Sequence, residues 1–375
     1  MRFYDLDLSD ADLRARLDAA YARVMDSGWV VLGPELEAFE AEFAAYCGAD
    51  FAVGVGNGLD ALALTLRAAD IGAGCEVVVP AHTFAATWLA VEMAGARPVP
   101  VEVDPVTYTM GADAVTAALT PRTAAILPVS LYGHPVDMDP LRRLADERGL
   151  FLLEDAAQSH GALYRGRRTG GLAHATAFSF YPTKNLGALG DGGAVVTSDA
   201  ALAERLRMLR NYGSRRKYAH ETAGVNSRLD ELQAAFLRER LKDLDGANGK
   251  RRRLAALYDQ ALSPAPGLIR PAEAPWARHA WHLYVVRSGR RDALQAALAD
   301  AGIETLIHYP IACHRQPAFA HLGHREGDFP LAERLADEVL SLPLWPGMPE
   351  GDVAVVADRI VQVLGAHDAL AEGAP

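Results

Sequence analysis

Residues Leu150–Ala162 read LFLLEDAAQSHGA, an apolar run that stops abruptly at two carboxylates, Glu154 and Asp155. The run is short and has no polar alternation, which predicts a strand covered on both faces, as strands of a parallel sheet are. In open α/β sheets ligands sit beyond the carboxyl ends of the strands, and that is where this run delivers Asp155.

Working outward, the chain from Phe51 to Thr197 alternates FAVGVG, EVVVP, PVPVEV, AAILPVSLYG and LFLLED with helical patterns such as LDALALTLRAAD, FAATWLAVEMAG and MDPLRRLADERG. Strands alternating with helices predict a parallel sheet wound by right-handed crossovers. Two more apolar runs, ATAFSF and GAVVTS, have only the loop YPTKNLGALGDGG between them. A loop that long and glycine-rich inside an α/β core is expected to be functional. From Asp199 the pattern turns helical, and a helix beginning near Ser227 leads out of the sheet. A smaller unit follows, with strands WHLYVVR and IETLIHY, the helix DALQAALADAG between them, and helices near 331–340 and 352–364. The expected fold is α/β, a mostly parallel sheet domain over 1–245 followed by a small C-terminal α+β domain over 246–375.

Composition narrows the function. Half of the 375 residues are hydrophobic and 23% are charged, which excludes a disordered or fibrous chain. The net charge of −11 gives nucleic acid or an anionic membrane no global attraction. No apolar run approaches the roughly 18 residues of a membrane span, and the opening MRFYDLDLSDADL has no apolar targeting core, so a cytoplasmic protein is expected. Cys47, Cys75 and Cys313 stand far apart, and His308, Tyr309 and His314 lack zinc-ligand spacing, so neither a disulfide framework nor a metal site is expected.

Lysine occurs only at positions 184, 217, 242 and 250 among 37 basic residues. Where bare positive charge suffices this chain uses arginine, so Lys184, just past the apolar run FSF, invites a chemical reason. Alone, a strand-end aspartate is more often a helix cap and a single lysine is usually solvated. Together, Asp155 and Lys184 at strand ends suit pyridoxal phosphate: the amine forms a Schiff base with the aldehyde, and the carboxylate keeps the pyridine nitrogen protonated. The segment VGVGNGLDAL supplies a phosphate site, since a helix beginning just after Gly56, Asn57 and Gly58 turns free amides and a positive dipole end outward. Ser179 adds a hydroxyl donor beside it.

These strings, with PAHTFAATW and GVNSRLDELQAA, resemble the DegT/DnrJ/EryC1/StrS sugar aminotransferases, which have the aspartate aminotransferase type of fold. The resemblance covers about Leu32 to Leu344. It implies that Lys184 is the Schiff-base residue and Asp155 the partner of the pyridine nitrogen. Gln158 then bonds the ring hydroxyl, Phe84 packs on the ring, and Ser179 with the Gly58 and Leu59 amides cups the phosphate. Asn226 reaches the phosphate from a neighbouring subunit, so a homodimer with shared sites is implied, along with an amino-acid donor, glutamate in the family. Two departures stand out: Leu59 replaces a common threonine in the phosphate turn, and YPTK lacks a histidine that many relatives carry before the lysine. Tyr181, Asn57-Gly58-Leu59-Asp60 and IHYPI are most similar to the branch that aminates carbon 3 of dTDP-linked 3-oxo-6-deoxyhexoses to 3-amino-3,6-dideoxyhexoses in antibiotic sugar pathways.

On the substrate side the candidates are Tyr181, Lys217 in the basic run RNYGSRRKYAH, and His308 and Tyr309 after a strand. Lys217 offers charge for a nucleotide diphosphate. KRRR at 250–253 is expected at the surface. Arg228, a cation at a helix start, is expected to have an anionic partner, either the donor's carboxylate or a structural acid. Rival readings are a 4-oxo sugar aminotransferase, a sugar dehydratase, a non-catalytic regulatory relative and a nicotinamide dehydrogenase. Lys184 argues against the dehydratase branch, which resembles this chain but carries histidine there, the intact set Lys184, Asp155, Gln158 and Ser179 against the regulatory relative, and the missing GxGxxG spacing against the dehydrogenase.

Overall fold

The structure, a computed structural model, describes residues 1–6, 8, 10–216 and 218–371. Two helices precede the sheet. The first, α1 (Ala11–Ser27), starts where the Asp10 side chain accepts the Asp12 and Leu13 N–H groups and stops at Gly28, whose φ of 64° a glycine takes without strain. The second, α2 (Pro34–Cys47), opens on proline and closes on Gly48. Neither was placed by the sequence reading, which began at Phe51.

The alternating segment follows as β1 (Phe51–Val55), α3 (Gly58–Ala68), β2 (Glu76–Pro80), α4 (Ala85–Met93), β3 (Arg97–Val101), α5 (Ala112–Ala118), β4 (Thr123–Ile126), α6 (Met138–Arg148) and β5 (Phe151–Asp155). Then come β6 (Ala175–Ser179), β7 (Gly193–Thr197) and α7 (Ala200–Leu209). They form one seven-stranded sheet in the order β1-β7-β6-β5-β4-β2-β3. The neighbours β3, β2, β4, β5 and β6 run parallel. Only β7 is antiparallel, to both β6 and β1, because no helix intervenes to carry the chain back across the sheet. The mostly parallel α/β sheet read from the sequence is therefore present. β2 and β7 are buried from end to end, and Trp88 of α4 is fully buried with Nε1 donating to the Pro80 carbonyl at 3.0 Å.

Beyond the sheet lie α8 (Glu231–Leu241), α9 (Leu244–Ala261), a strand Tyr284–Arg287, α10 (Arg291–Asp300), α11 (Pro330–Glu338), a strand Val339–Leu342 and α12 (Glu350–Ala371). Three expectations change here. The helix expected near 331–340 stops at Glu338, and Val339–Leu342 becomes a strand antiparallel to Tyr284–Arg287. IETLIHY forms no strand; only Leu306 bridges to Ser341, and the chain then turns to present His308 and Tyr309. The run KRRR is not all surface. Arg251 is 2% exposed, and its Nη1 donates to the carbonyls of Trp281, His282 and Leu344 at 3.3, 3.2 and 2.9 Å. One position of that run faces inward from α9, and the two hydrogens of its Nη1 are shared among three loop carbonyls.

Candidate active site

Asp155 is the last residue of β5 and is 7% exposed. Its Oδ1 accepts the Ala157 N–H at 3.1 Å and its Oδ2 accepts the Thr87 hydroxyl at 3.0 Å. Burial pushes the carboxyl up from its ordinary value; the Ala157 amide, the Thr87 hydroxyl and the charge of Lys184 oppose the shift. Glu154, one residue earlier, points to the opposite face of the sheet. There it takes hydrogen bonds from Ser130 and Thr176, and burial raises it to about 7. Of the two carboxylates ending the strand, only Asp155 belongs to the site.

Lys184 lies in the loop between β6 and β7, its own N–H donating to the Tyr181 carbonyl at 2.8 Å. The protein around its amine desolvates it and pushes its pKa down to about 8, with Asp155 opposing. The charge of Lys184 is felt by His160, His282 and His308, and burial keeps all three neutral, His160 at about 3 and His308 at about 4. A neutral imidazole surround removes competing cations from the neighbourhood of the amine.

The Gly56–Gly58 turn, expected to receive a phosphate, lies at the start of α3. Asn57 caps α3 by accepting the Asp60 N–H at 2.8 Å, while the Gly58 and Leu59 amides precede any intrahelical acceptor. Ser227 ties this turn to the GVNSR segment: its Oγ accepts the Gly56 N–H at 3.0 Å and donates to Asp60 at 2.6 Å. Ser179 ends β6, and its hydroxyl accepts the Tyr181 N–H at 3.3 Å. Gly58 leans directly on Ser179, so that any Cβ at position 58 would fill the space between them.

Gln158 is nearly buried and anchored at both ends, its Oε1 accepting the Tyr132 N–H at 2.6 Å and its Nε2 donating to the Tyr309 hydroxyl at 3.1 Å. The second Nε2 hydrogen and the Tyr309 proton remain for a ligand. Phe84, exposed just before α4, has its ring centroid 5.1 Å from that of Tyr309. His308 is held by Ser341 at 2.8 Å, and its carbonyl accepts the Tyr132 hydroxyl. Tyr181 is exposed at the mouth of the lysine loop, and Asn226 is exposed opposite Asn211. Lys217 lies outside the described residues. His314 is buried against Glu333 at 2.7 Å, away from these groups. Arg228 meets no acid among the described residues; it donates to Asn211 at 3.2 Å and lies over the Tyr212 ring.

Sequence reading missed Thr87, Tyr132, His160 and His282. Thr87 and Tyr132 touch the site across 68 and 26 positions of chain, and no local pattern marks such contacts. His160 stood inside the deciding motif, and its buried ring nitrogens have no hydrogen-bond partner among the described residues.

The set fits pyridoxal phosphate on its own geometry. A desolvated lysine and a buried carboxylate stand within electrostatic reach, and a helix start with free amides adjoins a serine across a gap only glycine permits. The sheet, the lysine loop and the carboxylate strand define an enzyme of the aspartate aminotransferase type of fold. A sequence model described as the DegT/DnrJ/EryC1/StrS aminotransferase family matches residues 11–361, and the chain belongs to that family. It is 57% identical over 358 residues to a dTDP-3-amino-3,4,6-trideoxy-alpha-D-glucose transaminase of Streptomyces venezuelae, covering 96% of this chain and 94% of that one. It is 56% identical over 364 residues to the erythromycin biosynthesis sensory transduction protein EryC1 of Saccharopolyspora erythraea, covering 97% and 98%. Among solved structures, S. venezuelae DesV in complex with a ketimine intermediate superimposes with a TM-score of 0.94 at 57% identity, over 96% of this chain and 97% of that one.

Proposed function

We propose that this protein is a pyridoxal phosphate-dependent aminotransferase that moves an amino group from an amino acid, glutamate, to carbon 3 of a dTDP-linked 3-oxo-6-deoxyhexose. The observation that carries the reading is Lys184 itself, an amine held near neutrality by desolvation while a buried carboxylate faces the same site. A regulatory protein has no use for that pairing, although one relative is named for sensory transduction. The S. venezuelae relative, named for a 3-amino sugar, supports carbon 3 as the point of amination.

The cofactor, when bound, supplies an electrophilic carbonyl and an electron sink for the amino acid's α-carbon. Lys184 holds it covalently at rest. Once released, the Lys184 amine would take the proton from the donor's α-carbon and hand it to the cofactor carbon that held the lysine, a role that needs the deprotonated amine, which a pKa lowered to about 8 makes more available. Asp155 holds the ring nitrogen protonated. Ser179 and the Gly58 and Leu59 amides receive the phosphate, and Phe84 covers the ring. Gln158 offers its free amide hydrogen to the ring hydroxyl. Tyr181, His308 and Tyr309 face the sugar, and Lys217 is assigned to the diphosphate. Asn226, exposed beside the phosphate turn, serves the site of a second copy, making the active form a homodimer in the cytoplasm.

A ketone must stand about 3 to 3.5 Å from the attacking nitrogen while the diphosphate stays anchored, so moving the carbonyl by one ring position displaces the sugar. Two unmet polar groups at about 1 to 3 kcal/mol each give a preference on the order of a hundredfold or more. The test pairs the purified enzyme and glutamate with 3-oxo and 4-oxo dTDP sugars generated in place and follows each amino sugar by mass spectrometry. Equal use of the 4-oxo sugar defeats the regiochemical claim, and no amination of either defeats the aminotransferase reading.

A further inference from the structure

Asp155 does not stand alone at the end of its strand. Thr87, fully buried in the first turn of α4, gives its hydroxyl proton to Asp155 Oδ2 at 3.0 Å, and the Thr83 hydroxyl lies 3.0 Å from the Thr87 oxygen. A hydroxyl has one proton. Since Thr87 commits its own to a carboxylate that can only accept, the bond between the two threonines runs from Thr83 to Thr87. The donors therefore point one way, Thr83 to Thr87 to Asp155, and each bond polarises the next. Thr83 is itself fixed from outside the sheet, its carbonyl receiving the Cys313 thiol at 3.2 Å.

We propose that Thr87, backed by Thr83, is a positioning residue that keeps Asp155 ionised and aimed at the cofactor's ring nitrogen. The proposal rests on the reading of Asp155 given above. A carboxylate and a pyridine nitrogen share one proton, which resides either on nitrogen, as an ion pair, or on oxygen, as a neutral pair. Burial favours the neutral pair. A donor on each carboxylate oxygen, Ala157 N–H on one and Thr87 on the other, favours the ion pair, because both bonds strengthen when the oxygen is charged. The Ala157 bond is a backbone feature that any sequence would keep, whereas the Thr87 bond is supplied by a side chain. No bond is made or broken by Thr87; it decides on which atom the shared proton rests.

The test reconstitutes the wild type, Thr87→Val, Thr87→Ser, Thr83→Val and Asp155→Asn with pyridoxal phosphate labelled with nitrogen-15 in the ring, and reads the ring nitrogen's chemical shift across neutral pH. In Thr87→Val the signal moves toward the unprotonated position and kcat falls about tenfold or more, with KM for glutamate unchanged within twofold. Thr87→Ser restores both, and Thr83→Val moves the signal the same way by less. A wild-type signal in Thr87→Val, or failure of Thr87→Ser to restore it, overturns the proposal while a shifted Asp155→Asn signal leaves the Asp155 reading standing. An unshifted Asp155→Asn signal removes both. Should Thr87→Val not hold the cofactor, Thr83→Val carries the test, and an unshifted signal there overturns the relay.

Discussion

Gly58 and Ser179 approach so closely that a Cβ on Gly58 would lie 2.6 Å from the Ser179 Cβ and 3.1 Å from its Cα. Real carbon contacts are not that short, so the start of α3 and the end of β6 meet as backbone against backbone, with their donors side by side. Gly58→Ala must push the two apart. Overpacking of this kind costs about 1 to 3 kcal/mol, and it falls on the phosphate cup. Titration of the apoprotein with pyridoxal phosphate is expected to show at least tenfold weaker binding, and the melting temperature reports how much of the loss is global.

Among the described residues, Lys184 is the one lysine in the site. In the wild type, borohydride reduction is expected to fix one cofactor mass to the chain, and digestion to place it on Lys184. Lys184→Ala should lose both this adduct and turnover. An adduct that persists in the variant assigns the attachment to another lysine.

Stability should fall on mild acidification. Burial lowers His82 to about 4, His160 to about 3 and His308 to about 4, and holds His279 and His282 well below their ordinary value. A depressed folded-state pKa means that below about 6.5 the unfolded chain binds protons that the folded one refuses. The stabilising contribution is complete above that value and is lost as the pH falls toward 4. Glu154, raised to about 7, acts in the opposite sense between about 4.5 and 7, as do the raised carboxyls of Glu102, Asp155 and Asp259, while His134, His174 and His324, also lowered by burial, act with the five. Urea unfolding should therefore show a net loss on the order of several kcal/mol between pH 7 and pH 5. A midpoint independent of pH over that range contradicts the neutral histidine cluster.

Asn226 separates a shared site from a self-contained one. Mixing inactive Lys184→Ala chains with inactive Asn226→Ala chains is expected to restore part of the activity, because a hybrid dimer holds one site with both residues intact. No recovery after demonstrated subunit exchange places Asn226 in its own chain's site, next to Ser227 and the Gly56 turn.

The sequence made Asp155 and Lys184 legible because each follows an apolar strand directly, and strand ends are visible as changes in hydrophobic pattern. The Gly56–Gly58 turn was legible for the same reason. The site's supporting groups were not. Thr87 looks like any residue of an apolar helix, and Tyr132 acts through its backbone N–H, aimed by a φ of 59° that composition does not reveal. Arg251 was misread because a run of charge suggests solvent, whereas only one position of the run faces inward. The strand Val339–Leu342 was hidden because it follows an amphipathic helix with no glycine or proline between them; its identity comes from pairing with Tyr284–Arg287, a long-range fact.

The one antiparallel strand of the seven-stranded sheet, β7, has a consequence for how the protein is made. β1 pairs with no other strand of the sheet, and its first residue, Phe51, lies opposite Thr197, the last residue of β7. During synthesis the segment FAVGV must wait, with an unpaired edge, until the chain has been extended to Thr197. Contacts so distant in sequence form slowly. The same closure brings the Gly58 turn against Ser179, so the phosphate cup and the lysine loop come into register in one event. A ribosome-bound fragment that ends before β7 carries Gly58, Asp155, Ser179 and Lys184 but lacks the strand that joins β1 to β6, and assembly of this end of the sheet is thereby deferred until more than half of the polypeptide exists.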